Sequence, residues 1–192
     1  INLGQNLSVT SAGGAISIGT ITAASGSQDI TITSSGGSAN TVAVGAIGGS
    51  GNINTIAITS GTLTTLNGNI TTDENSDNSV TLVGTTTNGA NITIDTDNSN
   101  DGAINIAAFS SSNNNLALDS GAAEITLSGA AFNLGSGSLT TTGDINLAAN
   151  VSITATGGMT INNKIDADSA SSNDRTLTLS SGTGATMTFN DA

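Results

Sequence analysis

The chain has 192 residues with no cysteine and no histidine, and its two basic residues stand against fourteen acidic ones, a formal net charge of −12. Nucleic acid is all but excluded as a partner, because phosphate binding needs clustered Lys and Arg and only Lys164 and Arg175 are present. Zinc sites, thiol chemistry and histidine-based triads fall with the missing residue types, and no apolar run approaches the about eighteen residues that cross a bilayer, so no membrane insertion is expected.

The apolar fraction is only 35%, yet charged residues are 8% and proline is absent, whereas disordered chains are usually rich in both. The order of the apolar residues decides for a folded β structure. Two-residue apolar steps begin at Ile1/Leu3 and continue at Ile16/Ile18, Ile30/Ile32, Val42/Val44, Ile56/Ile58, Val80/Leu82, Ile92/Ile94, Ile104/Ile106 and Leu116/Leu118. They run on through Ile125/Leu127, Phe132/Leu134, Ile145/Leu147, Val151/Ile153, Met159/Ile161, Leu177/Leu179 and Met187/Phe189. Each step sets two side chains on one face of a strand, with Thr, Ser, Asn or Ala usually between them on the other. Clusters such as Asn67-Gly68, Asn88-Gly89 and Asp101-Gly102 separate the strands and tolerate the positive φ of tight turns. No helical period is sustained. Without Trp or Tyr, and with three Phe, the chain lacks the residues on which an immunoglobulin-like sandwich builds its core. The core is expected to consist of thin aliphatic layers.

Val80, Ile92, Ile104 and Leu116 follow one another at steps of twelve residues, which is a repeat. Two such steps per turn make a coil of 24 residues, 192/24 = 8 coils, and a rod on the order of 40 Å long at the ~4.8 Å strand spacing. Elsewhere the step is irregular, falling to six between Ile145 and Val151, so coil length varies. Residues 56–65 parallel residues 132–141 at an offset of 132 − 56 = 76, which reads as duplication. The expected fold is all-β, a single-stranded parallel β-solenoid (β-helix) of about eight coils, one continuous segment over residues 1–192 with no internal boundary. Ile, Val and Leu should fill it, with Thr, Ser and Asn facing out.

The passage Gly143-Asp144-Ile145-Asn146-Leu147-Ala148-Ala149-Asn150-Val151-Ser152-Ile153-Thr154-Ala155-Thr156-Gly157-Gly158-Met159-Thr160-Ile161 resembles the repeat regions of filamentous-haemagglutinin-type exoproteins and giant autotransporter-like bacterial adhesins, as does the stretch from Leu177 to Ala192. The resemblance covers most of the chain and is one of repeat style. It implies a right-handed parallel β-helix, secretion across a Gram-negative envelope and a role in attachment or matrix. The Asn-Pro-bearing secretion-domain motifs of that family are absent, since the chain contains no proline.

Chemistry-bearing clusters are few. Asp95 and Asp97 are the carboxylate pair nearest to a glycosidase arrangement, but they run into the polar stretch Asn98-Ser99-Asn100-Asp101-Gly102. A lyase acting on acidic polysaccharide also needs a cation to neutralise the substrate carboxylate, and the net charge repels such a substrate. Calcium takes oxygen ligands, and three acidic turns offer them: Asp73, Glu74 and Asp77; Asp95, Asp97 and Asp101; Asp166, Asp168 and Asp174. Asp97-x-Ser99-x-Asp101-Gly102 has the spacing that opens a calcium loop, without the closing Glu, whose place Ala108 takes; Gly48-Gly49-Ser50-Gly51-Asn52 only echoes the glycine-rich calcium repeats. The competing reading is of solvated acidic turns that keep fibres soluble. Asn6, Asn69, Asn91 and Asn150 begin glycosylation sequons, as chance provides in a chain this rich in Asn, Ser and Thr. Thr20/Thr22, Thr31/Thr33, Thr62/Thr64 and Thr176/Thr178 resemble the hydroxyl ladders of ice-binding solenoids, though a ladder needs one pair per coil in register.

The functional expectation is a non-enzymatic stalk or filament segment of a large bacterial extracellular surface protein. The alternatives are a β-helix that binds or cleaves polysaccharide and an ice-binding solenoid. Its partners would be other coils or copies of the same fibre end to end, with surface glycans or a host receptor as further ligands. Ile1 opens directly in strand-like sequence and Met187/Phe189 lies within the last six residues, so the chain is expected to behave as one unit of something longer.

Overall fold

A computed structural model describes residues 1–23, 28–37, 39–49, 53–73, 79–98, 100–167 and 174–190. All regular structure among them is strand. In chain order the strands are β1 (Asn2–Leu3), β2 (Leu7–Ser11), β3 (Ile16–Ile18), β4 (Thr22–Ala23), β5 (Gln28–Ser34), β6 (Thr41–Val44), β7 (Ile53–Ser60), β8 (Leu63–Leu66), β9 (Ile70–Thr71) and β10 (Val80–Asn88). They continue as β11 (Ile92–Asp95), β12 (Ile104–Ser110), β13 (Leu116–Leu127), β14 (Ala131–Asn133), β15 (Leu139–Leu147), β16 (Val151–Ala155), β17 (Met159–Ile161), β18 (Ile165–Asp166), β19 (Leu177–Ser181) and β20 (Met187–Phe189). Every pairing is parallel and joins a strand to one about a turn away, so the chain is a parallel β-solenoid.

Three ladders run along it. The first stacks Leu7, Ile30, Ile56, Val80, Ile104, Ile125, Ile145 and Ile165 in register. The second stacks Ile16, Val42, Thr64 and Thr86, then Phe109, Phe132, Ile153 and Leu179. The third runs from Leu3 over Ala23, then through Ile21, Ile47, Ile70, Ile94 and Leu118 to Thr141, Ile161 and Phe189. The first two ladders each take seven steps, so the solenoid has about seven turns. Turn length varies from 20 residues (Ile125 to Ile145) to 28 (Met159 to Met187), and the surplus is taken up between strands.

The twelve-residue step is present, but it links ladders unevenly: Val80 and Ile104 lie on the first, Ile92 and Leu116 on the third. The second ladder lies between them in each turn; at two of its turns the apolar pattern lapses, because Thr64 and Thr86 occupy its interior positions and are fully buried. Thr64 donates to Ser60 Oγ at 3.1 Å inside the coil. Phe109 and Phe132 then stack in register on the same ladder, so this column is partly polar and aromatic whereas the column of the first ladder is aliphatic throughout. The 76-residue likeness joins Ile56 on the first ladder to Phe132 on the second, and therefore does not mark a repeat that keeps its face.

The aliphatic pairs face inward as their alternation requires. From Ile30 to Ile145 the first-ladder column is at most 1% exposed, and each such side chain contributes ~1.5–3 kcal/mol by leaving water. Glycine supplies one sharp corner: at Gly84, between the parts of β10 on the first and second ladders, φ is +96° and a Cβ would strike the Ser60 carbonyl of the turn below. Among the described residues no helix is long and apolar enough to cross a membrane.

Candidate functional site

The acidic corner lies where the third ladder ends and the chain bends back toward the first. Asp95 and Asp119 stand in register on neighbouring turns, half-buried on the outer face. Directly after them Thr96 and Ser120 turn inward and are fully buried. The Thr96 hydroxyl donates to the Gly102 carbonyl and to the Asp119 carbonyl (3.2 Å), while Gly102 N donates to Thr96 O at 3.0 Å. These bonds hold Thr96 against Gly102, with Asp97 and Asp101 on the outside of the corner. Against them on the following turn lies Gly121, with φ +58°, where an added Cβ would collide with the carboxylates of both Asp97 and Asp101.

Of the three residues that the sequence offers for calcium, the fold brings Asp97 and Asp101 together and sets Asp95 to a different task. Asp95 Oδ1 accepts a hydrogen bond from Asp97 N at 3.0 Å, and Asp119 Oδ1 accepts one from Gly121 N at 3.3 Å. A hydrogen bond to Asp101 raises the Asp97 pKa above its ordinary value; slight burial and repulsion from Asp101, Asp119 and Asp95 add to it. Among the described residues no three acidic side chains form a group that could hold a metal ion. Glu74 and Asp77 of the first acidic turn and Asp168 of the third lie outside the described residues, as do Ser50, Gly51 and Asn52 of the glycine-rich stretch.

The threonine pairs do not form one face. Thr31 and Thr33 point outward on the first ladder, but their neighbours in register are Ala57 and Thr59, followed by Thr81 and Val83. Thr64 points into the core, Thr22 belongs to the third ladder and Thr178 to the second. Short hydroxyl runs do align, Thr10, Thr33 and Thr59 on the first ladder and Thr140, Thr160 and Thr188 on the third, but neither continues along the whole rod as a paired ladder would.

The four sequon asparagines share a role that the sequence pattern does not advertise. Asn6, Asn69, Asn91 and Asn150 each stand on the surface just before a strand, and each Oδ1 accepts a hydrogen bond from a backbone N–H of the next turn: Asp29, Thr93, Asn115 and Thr176, at 2.9–3.0 Å. Asn115 repeats the contact to Ser138 N at 2.9 Å. The amide thus clips neighbouring coils where the ladder hydrogen bonds begin.

No family model, curated protein or solved structure matches the chain. The assignment therefore rests on the geometry. The outward column of the second ladder, Ser17, Ala43, Thr65 and Thr87, then Ser110, Asn133, Thr154 and Ser180, is of short uncharged side chains, and Lys164 is engaged by Asp144 at 3.2 Å. This is a surface suited to solvation and to shallow polar contact.

Proposed function

We propose that this chain is a stalk or filament segment of a large bacterial extracellular surface protein, serving attachment or matrix formation, and that it is not an enzyme. The observation that carries the reading is the solenoid itself: three parallel ladders tie each turn to the next through backbone hydrogen bonds, so at each step tension along the rod is divided among three strand pairs. The resemblance of residues 143–161 to the repeats of filamentous-haemagglutinin-type exoproteins supports it, and so does the acidic charge, which keeps rods apart laterally. Asp95 and Asp97 support the competing carbohydrate chemistry poorly, since one oxygen of Asp95 already holds the Asp97 backbone. Incubation with a panel of acidic and neutral polysaccharides tests the reading. The expected result is no product; a product that disappears in Asp97→Asn makes the chain a lyase or hydrolase and overturns it. Thermal hysteresis in freezing solutions overturns it in favour of ice binding.

A further inference from the structure

The charged residues of this chain gather at one corner of the coil. From Asp29 to Lys164 every described charged side chain lies where a turn passes from the third ladder to the first: Asp73 follows β9, Asp97 and Asp101 lie between β11 and β12, and Asp144 and Lys164 stand just before Ile145 and Ile165. Over the same span the described residues of the two other corners carry no charge. Further along, Asp166 lies on the first ladder, and Asp174 and Arg175 precede β19. Of the three faces of the coil, only the one built on the second ladder does not border the acidic corner.

That face is uncharged over its whole described length. Beside the outward column that begins at Ser17 runs a second one, from Thr41 through Thr85 and Ala108 to Ser152 and Thr178, with Leu63 as its one large side chain. Short side chains let another sheet approach closely. Ser and Thr hydroxyls and the Asn133 amide each donate as well as accept hydrogen bonds, so such a surface can satisfy a copy of itself in either direction. Sheets that pair in dry, interdigitated interfaces are likewise of low charge and free of proline. Other occupants find less to hold. Phe109 and Phe132 point into the core, so the face offers no aromatic ring on which a sugar could stack, and it has no charge for an ionic partner.

From this distribution we infer that two copies of the chain pair side by side through their second-ladder faces, with the acidic corners turned outward. Each coil is at least ~10 Å thick from sheet to sheet, so the two acidic corners then lie two coils apart, beyond the screening length of ~8–10 Å in ordinary salt. Contact through the first or third face would bring an acidic corner to the edge of the interface. Repulsion between rods therefore selects the face of contact rather than forbidding contact. The size of the face sets the strength. Seven steps at ~4.8 Å span about 34 Å, and two outward columns cover a width of about 10 Å, which gives on the order of 700 Å² for both copies together. A stable complex needs at least about 1,200 Å², so pairing is weak and reversible over this length and strengthens with each further coil laid alongside. The inference deepens the proposed matrix-forming fibre and rests on that reading.

The test uses the absence of cysteine and a matched set of positions. Thr81, Thr87 and Thr93 fall in one turn, all half-buried and pointing outward, one on each face. Thr87 also stands near the middle of its column, so copies running in the same or in opposite directions bring two such positions within reach. Thr81→Cys, Thr87→Cys and Thr93→Cys proteins, at high concentration and low ionic strength, are treated with a short thiol-to-thiol cross-linker. Thr87→Cys should form covalent dimer at least about tenfold faster than the other two, an excess corresponding to about 1.4 kcal/mol. Thr65→Glu and Ser110→Glu, which place carboxylates on the same column, should abolish that excess when added to Thr87→Cys. Equal rates for the three variants would overturn the inference, as would an excess that survives the two glutamates. So would the absence of dimer from Thr87→Cys; retention of the unaltered protein by an immobilised neutral polysaccharide, lost with the two glutamates, would then assign the face to sugar. Cleavage of polysaccharide is a separate readout, so the pairing and the non-enzymatic fibre reading fail separately.

Discussion

Ile106→Ala is the most direct probe of how the stacked layers hold. Ile106 is fully buried in mid-rod, with Leu82 below and Leu127 above it in register, both nearly fully buried. The strands on either side are fixed at the ladder spacing by backbone hydrogen bonds, so they cannot collapse into the space left behind. The substitution should therefore cost in the upper part of the ~2–5 kcal/mol range for such truncations. Leu179→Ala removes a side chain that is only partly buried, with Ile153 as its neighbour in register among the described residues, and water can enter the gap. Its cost should be about 1–2 kcal/mol. Urea unfolding followed by far-UV circular dichroism separates the two. With a slope of about 2 kcal/mol/M, a 3–4 kcal/mol loss moves the midpoint by ~1.5–2 M, and a 1 kcal/mol loss by ~0.5 M. Equal shifts for the two variants would refute the claim that rigid ladders, rather than side-chain area alone, set the cost of a core vacancy.

Gly129→Ala should destabilise by about 1–3 kcal/mol, because its Cβ would run into the Ala107 carbonyl of the turn below, whereas Gly4→Ala, with open space around it, should be neutral in the same urea titration. Asn115→Ala removes the acceptor for Ser138 N and should cost about 1 kcal/mol, seen as faster hydrogen exchange at the Ser138 amide with little change at Ile30. Asp97 holds its proton more tightly folded than unfolded, so its contribution is fully present below the usual carboxylate range and is lost as pH rises through the raised folded value. Asp97→Asn should consequently raise Tm at neutral pH, by an amount that shrinks on acidification and on adding salt; an unchanged Tm at neutral pH and low salt would show that the crowding of Asp97, Asp101, Asp119 and Asp95 has no energetic effect. Millimolar calcium, with magnesium as control, is the companion measurement. A calcium-specific rise in Tm that Asp97→Asn abolishes would establish the ion site that Asp95, Asp97 and Asp101 suggest in sequence.

The class of fold and most of its interior were legible in the sequence, because strand alternation is a local property. An Ile at i and another at i+2 must share a face, whichever strand comes to lie beside them. That is why Ile30/Ile32, Ile56/Ile58 and Ile104/Ile106 are buried where the pattern puts them. The ladder to which each pair belongs was not legible, because stacking depends on how many residues the intervening turns absorb, and turns of 20 to 28 residues leave no fixed period to read. Two turns of the second ladder were hidden for a related reason: Thr64 and Thr86 look like surface residues until Ser60 and the strands around them supply an interior that takes a hydroxyl. The acidic corner shows the same division. Sequence placed Asp95, Asp97 and Asp101 within seven positions, but only the next turn, with Gly121 against two of the carboxylates and Asp119 beside Asp95, determined which of them meet. Alternation follows from the covalent geometry of one strand, whereas register and corner chemistry are set by contacts between residues about a turn apart, which no local pattern encodes.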